Sequence, residues 1–264
     1  MYNIIILELS AKKNTIMANA RLKYSLNNIS FISLVFIVFI FLFAPVNAHA
    51  EDNDPLEPIN RAIFEFNEIV DDNIFKPVAK GYKYITPDPV EVGVSNFFSN
   101  IGEVGTIAND ILQLKFSQAG HDTARFAINS TLGIFGIFDV ATPLGLKRNK
   151  EDFGQTLGFW GIPNGPYLVL PFLGPSTLRD GPSLIVDYEM SPVEQLHHEE
   201  RQGLQAIDAV DTRARLLRAT KILDAAAKDK YIFIRESYLQ RRDSLVNDGK
   251  NTEEFEIDVQ EVDY

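Results

Sequence analysis

The side chains that could do chemistry in this chain stand in a few short clusters, and the first is His197-His198-Glu199-Glu200. Histidine and carboxylate groups are common Zn²⁺ ligands, but a metal site needs its ligands to converge on one point. Adjacent residues of a helix point in different directions, so four consecutive residues do not converge. We therefore interpret this cluster as the solvated start of a helix and predict no metal site.

Two further groups have side chains suited to acid–base or nucleophilic catalysis. His121-Asp122 has the composition of a base and its orienting carboxylate, but no nucleophile is marked nearby. Ser176 is a possible nucleophile, although its Pro-Ser-Thr context is more typical of a helix cap. None of the common hydrolase, phosphate-loop or zinc-protease motifs occurs. We predict no enzyme and no cofactor, and keep a hydrolase using Ser176 or Asp180 as an alternative.

Two arginines lie beside apolar stretches, Arg125 before residues 126–137 and Arg179 after residues 153–178. A guanidinium group binds phosphate through paired, charge-assisted hydrogen bonds, so either arginine could meet a phosphate at the mouth of an apolar cavity. The alternative is that each arginine forms an ion pair at a helix end. The sequence leaves both interpretations open.

Composition and charge exclude several classes of function. The chain has 264 residues, of which 45% are hydrophobic and 23% charged, enough for one large domain or two small ones. Its net charge of -11 gives no electrostatic basis for binding nucleic acid, or for adhering to anionic lipid through a basic face. It contains no Cys, which excludes disulfides, thiolate metal sites and Cys nucleophiles.

The first fifty residues have the pattern of an export signal. Arg21 and Lys23 precede an apolar run over 31–43, and Ala48-His49-Ala50 fits a cleavage site. The run is shorter than the roughly 20 residues that a membrane span needs. We predict a signal peptide over 1–50, with Met17 as a plausible true start, and keep an uncleaved anchor as the alternative. We expect one domain over 51–246 and an acidic, disordered tail over 247–264.

Apolar spacing predicts a mainly helical domain. We expect a helix capped by Asp54 and Pro55, a break at Pro77, and helical sequence over 89–118 divided in two by Gly102 and Gly105. A further helix is expected from about residue 118, and helical sequence over 204–246 bent near residue 229.

Two segments lack the charges that elements of a soluble protein usually carry, residues 126–137 and residues 153–178. The second is broken every few residues by Gly or Pro, and we predict a hairpin with strands over 156–162 and 167–172 and a turn at 163–166. Such segments are usually core, but in an exported chain they also fit elements that lie in a membrane interface.

Short motifs distributed in order over residues 54–246 are together similar to the MlaA (VacJ) family. They are Asp54-Pro-Leu-Glu-Pro-Ile-Asn-Arg61, Phe64-x-Phe-Asn67, Lys76-Pro-Val-Ala79, Ser95-Asn-Phe97, Asn129-Ser-Thr-Leu-Gly133, Phe138-Asp-Val-Ala141, Asp152-Phe-Gly-Gln-Thr-Leu-Gly158, Gly165-Pro-Tyr167 and Thr177-Leu-Arg-Asp180.

The resemblance implies a ring-shaped, multi-helix single domain with a short hairpin and an amphipathic central channel. It implies a location on the periplasmic side of the outer membrane of a Gram-negative bacterium. There the protein would remove mislocalised phospholipid from the outer leaflet and pass it to a periplasmic lipid carrier protein, which maintains lipid asymmetry. It also implies association with a trimeric porin, and we keep a purely structural porin adaptor as an alternative function.

The resemblance further assigns candidate site residues. Arg125 and Arg179 become candidates for the phospholipid headgroup, and Gly161 and Gly165 become candidate hinges of a channel-side hairpin. The full set of channel and hairpin candidates is Phe135, Phe138, Phe153, Trp160, Gly161, Gly165, Tyr167 and Leu168.

One feature departs from the family. Its members are commonly lipoproteins anchored through a Cys after the signal, and this chain has none. We therefore expect a protein that is not Cys-lipidated. Its anchor would then be its own apolar surface, a porin partner or an uncleaved signal.

Overall fold

The computed structural model describes residues 54–249. The predicted signal peptide over 1–50 lies outside these residues, as does all of the predicted tail beyond residue 249. A mainly helical fold with one short hairpin is confirmed. Its helices are α1 (Glu57–Val70), α2 (Lys76–Ile85), α3 (Asp88–Leu112), α4 (Phe116–Thr131), α5 (Phe153–Phe159), α6 (Asp180–Met190), α7 (His198–Ala226) and α8 (Lys230–Val246).

The predicted break at Pro77 is wrong, because the chain stays helical from α1 into α2. A π-helical turn at Asp71–Phe75 joins the two helices, and Lys76 N–H donates to the carbonyl of Asp71. A proline ring clashes with the carbonyl four residues before it, and a widened turn relieves that clash. The start of α1 also differs from the prediction. The helix begins at Glu57, and Asp54 accepts a hydrogen bond from Leu56 N–H at 3.1 Å.

The predicted division of residues 89–118 at Gly102 and Gly105 is also wrong. Helix α3 runs unbroken for 25 residues and packs along α4. Each glycine in a helix costs about 1 kcal/mol relative to alanine, which the long contact with α4 outweighs. No atom lies within 4 Å of a Cβ built on either glycine, so neither is needed for close packing.

The hairpin exists, but its strands are not those predicted. Strand β1 (Tyr167–Leu170) pairs antiparallel with β2 (Gly174–Thr177), with Tyr167 opposite Thr177. The segment predicted as the first strand is instead mostly helix α5. Asp152 caps that helix by accepting from Gln155 N–H at 2.8 Å.

Gly161 ends helix α5. It has φ +84°, and its N–H donates to Gly158 O while Ile162 N–H donates to Leu157 O. This pair of bonds is the Schellman arrangement, which requires a left-handed residue at the position of Gly161. The local capping signals therefore favour a helix where the turn at 163–166 led us to predict a strand.

The C-terminal helices flank the hairpin and the N-terminal helices. Helix α7 packs along α2 and also contacts α3, whereas α8 packs against α5 and β2. Near residue 229, where a bend was predicted, the helical sequence is interrupted between Ala226 and Lys230. Asp229 caps α8 by accepting from Ile232 N–H at 3.1 Å. A small aromatic core of Tyr167, Val169 and Tyr231 lies between the hairpin and α8.

Candidate functional site

The most unusual feature of the structure is where its polar and apolar side chains lie. Among the described residues, 21 polar or charged residues are buried, against only eight hydrophobic ones. Large hydrophobic side chains are exposed instead, on α1, α3, the hairpin turn and the segment after α4. Soluble proteins show the opposite preference, so this surface is suited to apolar surroundings. Within residues 54–249, no helix is both long and apolar enough to cross a membrane.

The densest exposed apolar group is residues 132–138, which we call the apolar loop. The side chain of Phe135 is 75% exposed and that of Phe138 is 58% exposed. Leu132, Ile134 and Ile137 are also exposed. The two phenylalanines therefore lie on the surface and not in the core, which was the other interpretation of their sequence.

The backbone of the apolar loop is held in an unusual conformation. Ile134 and Phe135 both have positive φ, 51° and 56°, which costs energy for residues with a side chain. Phe135 N–H donates to Ser130 O at 3.0 Å, and the next residue, Gly136, also has positive φ. A Cβ on Gly136 would lie 2.5 Å from Cβ of Asn100, so only glycine fits there. The loop is therefore fixed in shape, and its apolar side chains are presented by a rigid backbone.

Arg125 secures the base of the apolar loop. It is 3% exposed, and its Nε lies 2.9 Å from Glu103 while its Nη2 lies 2.8 Å from Asp139. Its Nη1 donates to Thr142 and to the carbonyl of Leu146. Burial opposes ionisation of Asp139, but hydrogen bonds from Thr142 and Arg125 outweigh it and lower its pKa to about 2. The structure thus places Arg125 in an ion pair and does not support its predicted headgroup role.

A second ion cluster joins the two ends of the 152–180 segment. Arg242 on α8 donates to both oxygens of Asp152, at 2.6 and 2.9 Å, and to Asp180 at 3.2 Å. Asp180 also accepts from Arg179 at 2.8 Å and from Tyr238 at 3.0 Å. Arg179 is therefore buried in this ion cluster, which again favours the ion-pair interpretation over headgroup binding.

Gly154 lies at the centre of the ion cluster. A Cβ there would come within 2.5 Å of Asp180 Oδ1 and 2.7 Å of Arg242 Nη2. Only glycine leaves room for the carboxylate and the guanidinium to meet. Sequence reasoning missed Arg242, because nothing in the residues around it distinguishes it from a solvated helix arginine.

Two asparagines of α1 bind the backbone of the hairpin. Asn60 accepts from Val169 N–H and donates to Tyr167 O, both at 2.9 Å. Seven residues later on the same helix face, Asn67 accepts from Phe172 N–H at 2.8 Å and donates to Leu170 O at 2.9 Å. These amides take the place of a third strand along β1 and fix the hairpin to α1.

The remaining hairpin candidates fall into different surroundings. Tyr167 is a core residue at 4% exposure, whereas Leu168 lies half-buried on the other face of β1. Phe153 is half-buried at the start of α5, where its N–H donates to Asp187. Trp160 is exposed at the end of that helix, with its indole N–H donating to Leu112 O. Only Trp160 of these four presents a large apolar surface outward.

The two predicted hinge glycines have different structural roles. Gly161 ends α5, and no atom lies within 4 Å of a Cβ built there. Gly165 has φ +65°, and its Cβ would lie 3.1 Å from Leu178. Both conformations favour glycine, and hinge motion at either position stays a prediction.

His197 and His198 lie at the exposed start of α7. Across residues 54–249, no three His, Cys, Asp or Glu side chains come together to hold a metal ion. Ser176 is buried in β2 opposite Leu168. The helix cap predicted at Pro-Ser-Thr is not formed in that way, because α6 begins at Asp180 after Arg179, which makes no side-chain cap. The hydroxyl of Thr177 does accept from Asp180 N–H at 3.1 Å.

A pair of buried carboxyl groups lies between α3 and α4. Asp110 and Asp122 are both fully buried, and Nδ1 of His121 lies 3.0 Å from Asp122 Oδ1. Burial first, and then Asp122 and Glu151, raise the pKa of Asp110 to about 8. At neutral pH the pair therefore retains a proton, as two adjacent carboxylates cannot both ionise without large cost.

A cavity of about 650 Å³ opens between the start of α4, the loop before α5 and the end of α8. Its lining is mixed, with Leu114, Phe116 and Leu245 beside Lys115, Lys150 and Glu151. Lys115 pairs with Glu151 at 3.1 Å. Sequence reasoning did not single out Lys150, since it stands in a run of charged residues that is typical of a solvated loop.

The sequence of the chain matches that of a known protein family. The family model described as MlaA lipoprotein matches residues 52–245. A protein of Escherichia coli strain K12 named intermembrane phospholipid transport system lipoprotein MlaA is 34% identical over 222 residues, covering 80% of this chain and 88% of that protein. An uncharacterized protein of Rickettsia prowazekii is 36% identical over 207 residues, covering 78% of this chain and 82% of its own.

A solved structure, described as the structural basis for maintenance of bacterial outer membrane lipid asymmetry, shares the fold. It superposes with a TM-score of 0.66 at 35% identity. The match covers 74% of this chain and all of the solved one.

Proposed function

The chain belongs to the MlaA family, and on that premise we propose that it transports phospholipid between membranes, removing mislocalised phospholipid from the outer leaflet of the outer membrane. The reversed distribution of polar and apolar side chains carries the proposal. An apolar exterior lowers the free energy of the protein in lipid by about 25 cal/mol per Å² of apolar area removed from water.

The apolar loop is the proposed membrane contact. Its side chains are exposed while its backbone is fixed by α4 and Asn100, so it keeps its shape on entering lipid. Interfacial elements bury their apolar side by several ångströms into the headgroup and acyl boundary. In a chain without Cys this surface takes over the anchoring that a covalent lipid would provide.

The hairpin turn and the end of α5 are the proposed lipid-contact elements of the channel. Trp160, Phe172 and Leu173 are exposed here, and Phe172 stacks edge-on against Phe66 of α1 at 5.3 Å. A ring-shaped domain with an amphipathic channel, which the sequence resemblance implies, would place these side chains where acyl chains pass. Arg179 and Arg125 then act beneath the channel wall, holding its elements in place.

The proposal places the protein at the outer membrane, on its periplasmic side and without a Cys-linked lipid. A periplasmic lipid carrier would receive the phospholipid, and a trimeric porin would be the neighbour in the membrane. No covalent step is needed, and the burial of Ser176 and the pairing of Asp180 favour passage over hydrolysis.

Deletion of the gene followed by complementation tests the proposal. We expect phospholipid on the cell surface and sensitivity to detergent to rise on deletion and to return to normal with the intact gene. Unchanged surface phospholipid would contradict it. A structural porin adaptor predicts that the purified protein carries no phospholipid, whereas the transport proposal predicts phospholipid that co-purifies and is not hydrolysed.

A further inference from the structure

The described part of the chain ends on the wall of the cavity of about 650 Å³. Helix α8 ends at Val246, and Asp248 and Gly249 follow with φ +53° and +76°. Asp248 N–H donates to Leu245 O at 3.2 Å, and Gly249 N–H donates to Ser244 O at 2.8 Å. This pair of bonds is a Schellman cap, in which a left-handed residue ends the helix and changes the direction of the chain.

A contact with the start of α4 holds this exit from α8 beside the cavity. Lys115 forms ion pairs with Asp248 and, at 3.1 Å, with Glu151. All three of these residues line the cavity, and Gly249 does so too. Because Gly249 is itself on the wall, the chain continues into residues 250–264 from the cavity.

The cavity wall carries large apolar side chains that face water. Leu114 is 57% exposed and Phe116 is 65% exposed, and Leu245 near the end of α8 is half-buried. Leu114 also has φ +61°, an unfavourable conformation for a residue with a bulky side chain. Concave surfaces with such a lining favour an apolar ligand.

The sequence that follows Gly249 has a matching pattern. Residues 254–259 read Glu-Phe-Glu-Ile-Asp-Val, so that apolar and acidic residues alternate. In an extended chain every second side chain points to the same side, so Phe255, Ile257 and Val259 would form one apolar face. Residues 250–254 span up to about 17 Å when extended, which is enough to bring Phe255 into a cavity on whose wall the segment starts.

Charge also favours this segment as the occupant of the cavity. Residues 250–264 contain six acidic residues and one lysine. Three of the four residues 147–150 are basic, and Lys150 lines the cavity. Among the described residues of the lining, both carboxylates are already paired with Lys115. The basic loop therefore attracts an acidic segment toward the cavity, and added salt would screen this attraction.

We propose that residues 255–259 bind in this cavity of the same chain, with their three apolar side chains against Leu114 and Phe116. A linker of five residues gives the segment an effective concentration on the order of millimolar, so a weak contact is enough to keep it bound. The bound segment covers apolar side chains that would otherwise face water, and it excludes other ligands from the cavity. The inference does not depend on the proposed transport function, because it concerns only two parts of this chain.

Disulfide trapping tests the contact, and the chain suits this method because it contains no Cys. S117C/Q260C places one thiol on the exposed lining of the cavity and the other just after the apolar residues of the segment. The control is A124C/Q260C, whose first thiol is also exposed on α4 but lies outside the lining. We expect S117C/Q260C to form its disulfide at least about tenfold faster than the control, at a rate that dilution leaves unchanged.

A second substitution separates docking from chance collision of a tethered segment. F255S/V259S, introduced into the S117C/Q260C chain, should lower the rate of disulfide formation to that of the control. Equal rates for S117C/Q260C and A124C/Q260C, or a rate that F255S/V259S does not change, would overturn the proposal. A disulfide that forms between two chains and slows on dilution would assign the cavity to the segment of a second copy, which also contradicts it. Thermal unfolding followed by circular dichroism checks that the exposed thiols leave the fold intact.

Discussion

Arg242 donates both of its Nη groups to the carboxylate of Asp152, which lies 90 residues earlier in the chain. The same guanidinium reaches Asp180, so a single side chain of α8 holds both ends of the segment that contains α5 and the hairpin. The pairing raises the pKa of Arg242 against the opposing effect of burial, so the guanidinium stays charged. The position of the proposed lipid-contact elements therefore depends on this contact.

Removing the Arg242 side chain should destabilise the fold. R242Q leaves Asp152 and Asp180 without their shared cation, and breaking a buried ion pair costs about 3–5 kcal/mol. We expect the midpoint of urea unfolding to fall accordingly, measured by circular dichroism. The control is R241Q, which alters the exposed neighbour and should change the free energy of unfolding by less than about 0.5 kcal/mol. Equal midpoints for R242Q and R241Q would contradict the prediction.

The two asparagines of α1 should control the mobility of the hairpin. N60A and N67A each remove two hydrogen bonds to its backbone, at a cost of about 1–3 kcal/mol for groups left unsatisfied. Hydrogen exchange should therefore accelerate at the amide of Val169 in N60A and at that of Phe172 in N67A. N73A is the control, because Asn73 bonds only within its own helix. Exchange that is unchanged at Val169 and Phe172 would show that the hairpin is held by other contacts.

The apolar loop should govern binding to membranes. Each exposed phenylalanine stabilises a lipid-inserted state by about 1.5–3 kcal/mol. F135E/F138E should therefore reduce sedimentation with phosphatidylethanolamine–phosphatidylglycerol vesicles by a factor of roughly a hundred or more. F135L/F138L keeps the apolar surface and should bind nearly as well as the native protein. Membrane binding by the glutamate variant at the native level would place the membrane contact elsewhere.

Stability should depend on pH through Asp110, whose pKa in the folded protein is raised to about 8. The unfolded chain releases this proton at about pH 4, so between pH 4 and pH 8 the folded state binds more protons. The stability contributed by Asp110 is therefore full at low pH and lost as pH rises toward 8. Asp122 and Glu151 strengthen this effect, and Lys115 opposes it.

D110N should remove that dependence. We expect the free energy of unfolding of the native protein to fall relative to D110N by about 1–4 kcal/mol between pH 5 and pH 8. Urea unfolding at each pH gives the difference directly. E65Q alters an exposed carboxylate and should run parallel to the native protein. A native protein and a D110N variant with parallel pH profiles would mean that Asp110 is ionised throughout the range.

Local patterns predicted the helices well where apolar spacing and caps agreed, as in α4 and in the separation of α7 from α8 at Asp229. They failed where two local signals competed. The apolar run at 156–162 reads as a strand, but Asp152 and Gly161 supply both caps of a helix. Pro77 and Gly102 are of residue types that usually break a helix, but both lie within helices here. A π turn accommodates Pro77, and the packing of α3 against α4 stabilises the helix at Gly102.

The sequence by itself determined that apolar, Gly- and Pro-rich segments set this chain apart, that helices dominate, and that no thiol chemistry takes part. Periodicity, capping and composition act over a few residues, so one sequence suffices to identify them. Only the tertiary structure decided that Arg125 and Arg179 are buried in ion pairs. Whether a charged side chain has a partner depends on residues far apart in the sequence, such as Asp152 and Arg242, coming together in the fold. Patterns that span a few residues do not determine such long-range contacts.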